Sequence, residues 1–226
     1  MMPHGSGWHV FHAAGAVLAG LVAAVVAVMV VGADATVVEL FGVVAPAQSL
    51  ATIGAIAFMA RDSERRRREL GLGLEAEDGW GLLVGAGLQV VLAAAMYPFI
   101  RLFYDDQIPV QDIVEAADRA LTSPERILVA VSAVLLAPVA EELAFRGVLL
   151  RALRDRMSDR WALVVSAIAF AAFHLLDPNA YLAVPPLFVL GLVMGRQVIQ
   201  TGRVTRAVFT HMGFNLVSVI ALFATV

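Results

Sequence analysis

The chain reads as long apolar runs separated by short polar ones. Val10–Val31, Val37–Ala60, Gly79–Ile100, Ile127–Leu150, Trp161–Leu176, Tyr181–Val198 and Ala207–Val226 are built mostly from Ala, Val, Leu, Ile and Phe. Each is about 16 to 25 residues long, the length that crosses a hydrocarbon core of roughly 30 Å at about 1.5 Å per residue. Backbone amides in lipid must find partners inside their own segment, so these runs are predicted to be helices. The expected fold is all-α: a polytopic transmembrane bundle of seven spans. Pro46 and Pro138 fall inside spans and mark kinks. The fourth span opens with Ser123 as N-cap, Pro124 at the first helical position and Glu125 in the first turn. Gly191 and Gly195, four apart in the sixth span, suit close helix packing.

Two polar stretches interrupt the pattern. Arg61 to Asp78 carries Arg61, Arg65, Arg66, Arg67 and Arg68. Arg101 to Pro124 is acidic, yet Val110, Ile113, Val114, Ala117 and Leu121 recur in it at helical spacing. That pattern predicts an amphipathic helix lying on the membrane surface. Gly32 to Ala35 has the small residues of a leader-cleavage site. The first run is long and its start carries no Lys or Arg, so it reads as a retained span.

Composition agrees with this pattern. Hydrophobic residues make up 60% of the chain, against about 45–50% in soluble domains, and the mean hydropathy is +0.82. The absence of cysteine excludes disulfides and thiolate metal sites. A net charge of −3 gives no sign of a nucleic-acid partner. The 16 basic residues are all arginine, which suits a GC-rich genome and a prokaryotic plasma membrane. If the Arg61–Arg68 loop is cytoplasmic, Arg151, Arg154, Arg156, Arg160, Arg196, Arg203 and Arg206 fall on the same side. Only Arg101, Arg119 and Arg126 fall opposite. By the positive-inside rule the N-terminus is cytoplasmic and the C-terminus outside. The Arg61–Arg68 run reads as a topology determinant before a lipid-headgroup site.

Against this background several polar side chains stand inside spans, where an ionisable group costs several kcal/mol and by default marks a function. The fourth span contains Glu141, Glu142 and Arg146, the fifth Phe170 and His174, the seventh His211 and Asn215. Glu142 and Arg146 are four apart with the acid first, the favourable order for a helical ion pair, so they are expected to neutralise each other. Glu141 lies about 100° further round the helix, by the 3.6-residue turn, and has no such partner. His211 and Asn215 share one helix face, as do Phe170 and His174. Counted from the nearest arginines, His174 comes out deeper than Glu141, so convergence needs a tilt or a late helix start. A carboxylate withdrawn from water is a competent general base, and imidazole and amide donors suit an oxyanion. Together they suit hydrolysis of an acyl bond by water. His4, His9 and His12, at the entry to the first span, read as interfacial.

Glu141-Glu142-x-x-x-Arg146, Phe170-x-x-x-His174 and His211-x-x-x-Asn215, in that order on separate spans, resemble the motifs of the CAAX protease and bacteriocin-processing (CPBP, or ABI) family, which includes type II CAAX prenyl endopeptidases. The resemblance covers Thr122 to Val226 and divides the chain into residues 1–121, without a recognised motif, and a catalytic core at 122–226. It implies a metal-independent glutamate protease acting near the cytoplasmic face on a peptide or protein tail, including a prenylated one. It makes Glu141 the base with His174 assisting, His211 and Asn215 the oxyanion site, Glu142 and Arg146 structural, and Phe170 a packing residue. It also implies no cofactor, and an eighth span where the pattern shows seven. Other functions remain open at this stage. Glu141, His174 and His211 are legitimate Zn²⁺ ligands, and a scaffold, a bacteriocin-immunity protein or a proton-coupled transporter could hold a similar polar cluster.

Overall fold

The computed structural model describes residues 7–32, 34–104 and 122–225. The surface helix predicted around Val110–Leu121 lies outside these residues, as does His4. Helix α1 is Val10–Val31. Helix α2 runs through Val37–Glu39, Leu40–Val44 and Ala45–Ala60. The polar α3, Glu64–Glu69, is too short to cross a bilayer. A 3₁₀ turn, Ala76–Gly79, leads into α4, Trp80–Tyr104.

Helix α5 runs without a break through Ser123–Ala130, Val131–Leu136, Ala137–Glu142, Leu143–Leu149 and Leu150–Arg154. Helix α6, Asp159–Phe173, tightens into a 3₁₀ turn at His174–Leu176. Helix α7 is Val184–Thr201 and α8 is Val204–Thr225. Seven of these helices are long and apolar enough to span a membrane, and no strand occurs among the described residues. Large apolar side chains such as Phe11, Met29, Leu102 and Ile220 face outward, the arrangement expected when the solvent is lipid. The protein is an integral, polytopic membrane protein.

Helix α5 begins one residue earlier than expected. Thr122, not Ser123, is the N-cap, and its hydroxyl and backbone N–H both donate to Glu125 Oε2. The reason is spacing: the reciprocal cap needs the hydroxyl residue three positions before the acid.

The two prolines flagged as kinks do something more specific. Each follows a π-helical turn whose bonds run from residue i to i−5: Ala45 N–H donates to the Leu40 carbonyl, and Ala137 N–H to that of Ser132. The next donors in that register are residues 46 and 138. Both are proline and have no N–H, so the carbonyls of Phe41 and Ala133 are left free. A side chain from another helix fills each vacancy. The Ser132 hydroxyl on α5 donates to Phe41 O on α2, and Asn215 Nδ2 on α8 donates to Ala133 O on α5 at 2.8 Å. A buried carbonyl left unpaired would be costly, so each proline creates a fixed docking point, and α2, α5 and α8 are linked in series.

Elsewhere small residues set the spacing. A Cβ on Gly85 of α4 would lie 1.8 Å from the Thr210 carbonyl oxygen, and one on Gly213 of α8 would lie 2.1 Å from that of Leu82. These helices therefore meet backbone to backbone. Gly191 and Gly195 play the same part between α7 and α6, as their spacing suggested.

The arginine-bearing ends gather at one end of the bundle. Arg66 donates to the carbonyls of Gly7 and Met59, Arg151 to that of Gly202, and Arg156 meets His9 Nδ1 at 2.8 Å. Arg203 grips Asp78 and Glu75, and Val204 N–H donates to Gly71 O. Loop 70–79 is thus laced onto the α7–α8 turn.

Candidate functional site

The polar residues singled out on α5, α6 and α8 come together in the middle of the bundle. Two side chains of α5 set the pattern. Glu142 and Arg146 are both 0% exposed, and Arg146 Nη1 donates to Glu142 Oε1 at 2.9 Å. The guanidinium also lies over the Phe170 ring, 4.3 Å from its centroid, and reaches the Gly191 carbonyl at 3.4 Å. A Cβ on Gly191 would come within 3.3 Å of Arg146 Nη2, so glycine is what lets α7 approach. The expected ion pair is present, and it has a third member that helical spacing could not reveal. His211 Nδ1, on α8, lies 3.1 Å from the same Glu142 oxygen. A carboxylate paired with arginine accepts, so Nδ1 carries the hydrogen and donates.

Glu141 points the other way. Its side chain is 20% exposed, and Oε2 is buried with no hydrogen-bond partner among the described residues. Two imidazoles face that oxygen: His174 Nε2 at 4.0 Å and His211 Nε2 at 3.9 Å. Both separations are too long for a direct hydrogen bond and short enough for one bridging water.

The orientation of His174 follows from the end of its helix. As α6 tightens, His174 N–H shifts to the carbonyls of Ala171 and Ala172, which frees the Phe170 carbonyl. His174 Nδ1–H takes that oxygen at 3.0 Å. Both imidazoles therefore spend their Nδ1 hydrogens on fixed acceptors and, when neutral, present bare Nε2 lone pairs to Glu141. Phe170 packs edge-on to both, with ring centroids 5.0 Å from His174 and 5.5 Å from His211. Among the described residues, no group of three or more His, Cys, Asp or Glu side chains is arranged to hold a metal ion.

The depth mismatch between Glu141 and His174 disappears once the helix ends are known. Helix α5 continues to Arg154, which places Glu141 about 20 Å from that end at 1.5 Å per residue. Helix α6 starts at Asp159, which places His174 about 22 Å along by the same rise. Neither a late start nor a special tilt is needed. Asn215 is the outlier: its amide is committed to Ala133 O, and one of its two N–H groups remains for other use.

A cavity of about 210 Å³ opens beside Glu141. Its walls include Val17 of α1, Gln48, Ser49 and Thr52 of α2, and Phe173 of α6. It adjoins a second, apolar recess of about 380 Å³ between α1, α5 and α6, with Val17, Ala144, Phe145 and Phe173 common to both. The α2 wall was not legible in sequence, because Gln48, Ser49 and Thr52 match no motif and resemble ordinary small polar residues in a span.

A carboxylate and two oriented imidazoles thus meet inside a bundle of helices long and apolar enough to span a membrane. Residues 123–217 match the family model described as type II CAAX prenyl endopeptidase Rce1-like. The resemblance read from the three motifs is thereby borne out over the segment that carries them. No curated protein and no solved structure matches the chain.

Proposed function

We propose that the chain is a glutamate-dependent endopeptidase that hydrolyses a peptide bond with a water held between Glu141 and the imidazoles. The observation that carries this reading is the contrast between two adjacent carboxylates: Glu142 is neutralised, while Glu141 faces two bare ring nitrogens and a cavity. Glu141 takes a proton from the water as its oxygen bonds to the scissile carbonyl carbon. His174 Nε2 accepts the water's other hydrogen bond and fixes its direction. The carbonyl oxygen becomes an oxyanion. His211, which takes a proton from solvent at Nε2 as the substrate binds and returns it on product release, donates to it, and Glu142, bonded to Nδ1, stabilises the imidazolium. Asn215 contributes its second N–H. Collapse of the tetrahedral intermediate breaks the C–N bond, and the proton held by Glu141 passes to the leaving amine. No metal enters these steps.

The apolar recess adjoining the cavity supports a substrate tail bearing an apolar group, such as a prenylated cysteine. The gathering of arginines at one end of the bundle supports a cytoplasmic N-terminus. The chain has no cysteine, so single replacements serve as clean reporters. Ser63→Cys, beside α3, is expected to react with a membrane-impermeant maleimide only after the membrane is opened, in cells and in right-side-out vesicles. Labelling of intact cells would reverse the orientation.

The decisive test compares purified wild type with Glu141→Gln on prenylated and unprenylated C-terminal peptides, with and without a chelator. The expected result is chelator-resistant cleavage that Glu141→Gln reduces by about 10²–10⁴-fold, the range of a lost general base. Cleavage that survives the substitution removes the base role from Glu141. Inhibition by chelator alone assigns the reaction to a metal. Full biological function in a folded Glu141→Gln protein would make it a scaffold.

A further inference from the structure

The cavity beside Glu141 has a wall that the three motifs do not supply. Helix α2 packs directly on the Ala137–Glu142 turn of α5 and contributes Gln48, Ser49 and Thr52 to the cavity. Ser49 is only 5% exposed. Neither its hydroxyl nor the Gln48 side-chain amide has a hydrogen-bond partner among the described residues. Thr52 differs, because its hydroxyl is spent on the Gln48 backbone carbonyl at 2.9 Å. The rest of the wall is Ala, Val and Phe, apart from Glu141 itself.

Two unspent polar side chains in an apolar cavity are costly unless something completes them. The same is true of a peptide drawn to this depth, since each of its backbone N–H and C=O groups needs a partner away from water. An amide offers both donor and acceptor, and so does a hydroxyl. The two residues are adjacent on the helix that faces the base across the cavity. Gly20 of α1 fixes this wall from behind: a Cβ there would lie 2.2 Å from Thr52 Oγ1 and 3.0 Å from the Gln48 carbonyl oxygen.

We infer that Gln48 and Ser49 form the subsite that holds the substrate backbone, binding the N–H and C=O groups of an extended peptide beside the scissile bond. The inference rests on the peptidase reading above, and it gives the N-terminal half a direct part in recognition. Specificity for extended backbone comes from α2, while bond breaking comes from α5, α6 and α8. Because these contacts form with the bound peptide before any bond changes, their loss raises KM more than it lowers kcat.

The test separates binding from cleavage by working in the inactive Glu141→Gln background. The probe is a dansyl-labelled, farnesylated peptide with a Cys-aliphatic-aliphatic-Met end, measured by fluorescence titration in detergent micelles. A matched series replaces one backbone amide at a time by an ester, which deletes a single N–H. Gln48→Leu and Ser49→Ala are each expected to weaken binding about 3–10-fold, the net worth of one hydrogen bond. One ester in the series is expected to cost a similar factor in the parent and almost nothing in the variant that has lost its partner. A variant that is merely loosened would lose affinity equally across the series, and equal losses at every ester overturn the inference. So does unchanged affinity in both variants, or a parent that binds no peptide of the set. If the parent binds with this coupling and wild type cleaves none of the peptides, the peptidase reading fails while the backbone subsite stands.

Discussion

The two sides of helix α5 hold neighbouring carboxylates to opposite standards. On the side toward α7 and α8, Glu142 is fully buried and shares its Oε1 between Arg146 and His211, while its Oε2 has no hydrogen-bond partner among the described residues. On the side toward α1 and α2, Glu141 borders open space and has an oxygen without a partner. One residue of offset along a helix turns a side chain by about 100°, and on the function proposed above that rotation separates structural from chemical duty. A carboxylate neutralised by an arginine and tied to an imidazole holds its surroundings in place. A carboxylate whose neighbours are bare nitrogens is free to exchange a proton. His211 joins the two sides, with Nδ1 on Glu142 and Nε2 facing Glu141.

The sharpest way to break this contrast is to neutralise each acid in turn. Glu141→Gln is expected to lose the 10²–10⁴-fold in turnover given above and to melt within a degree or two of wild type by scanning fluorimetry. Glu142→Gln is expected to lose activity and stability together, because it strands Arg146. Equal melting temperatures for the two variants would show that the sides of α5 are not different in kind.

Next in size is the cation. Arg146→Ala leaves Glu142 buried and uncompensated, a loss of about 3–5 kcal/mol, and is expected to cut the yield of folded protein sharply in size-exclusion chromatography. Met at position 146, with Gln at 142, removes both charges at once and is expected to recover most of that loss. Its recovery would also show that the pair serves the fold through its neutrality rather than its charge.

A smaller effect tests the docking points made by proline. Asn215→Leu orphans the Ala133 carbonyl and is expected to cost about 1–3 kcal/mol, read as a fall in melting temperature. In a Pro138→Ala background residue 138 regains an N–H that can serve Ala133, so the same substitution is expected to cost well under half as much. Equal costs in both backgrounds would show that Asn215 stabilises α8 by another route. The smallest effect belongs to the entry of α5. Thr122→Ala removes the reciprocal cap and is expected to cost about 1 kcal/mol, with kcat unchanged.

The spans were readable because lipid imposes one rule on every residue that faces it. Val10–Val31 emerges with its predicted limits, and α2, α4 and α6–α8 within about four residues of theirs. The ion pair was readable for a local reason, since i and i+4 meet on any helix. The third member of that pair was not, because His211 lies on another helix and its spacing from α5 carries no information. The depth of Glu141 relative to His174 was underestimated for want of one fact, that α5 stays helical past Arg151 to Arg154. Pro46 and Pro138 were seen, but their partners Ser132 and Asn215 were not. A freed carbonyl has no sequence signature, and the group that fills it comes from wherever packing brings one.

By itself, then, the sequence determined that this protein lives in a membrane as seven helices and that its charged groups inside the bilayer belong to three motifs. Hydrophobic length and forbidden charge are properties of single segments, and a segment reports them alone. Only the tertiary structure decided which nitrogen of each histidine faces Glu141, that Asn215 also serves a carbonyl of α5, and that α2 closes the cavity with Gln48 and Ser49. Those outcomes depend on the relative rotation of helices distant in sequence, fixed by glycine contacts, proline vacancies and buried hydrogen bonds that exist only once the bundle is assembled.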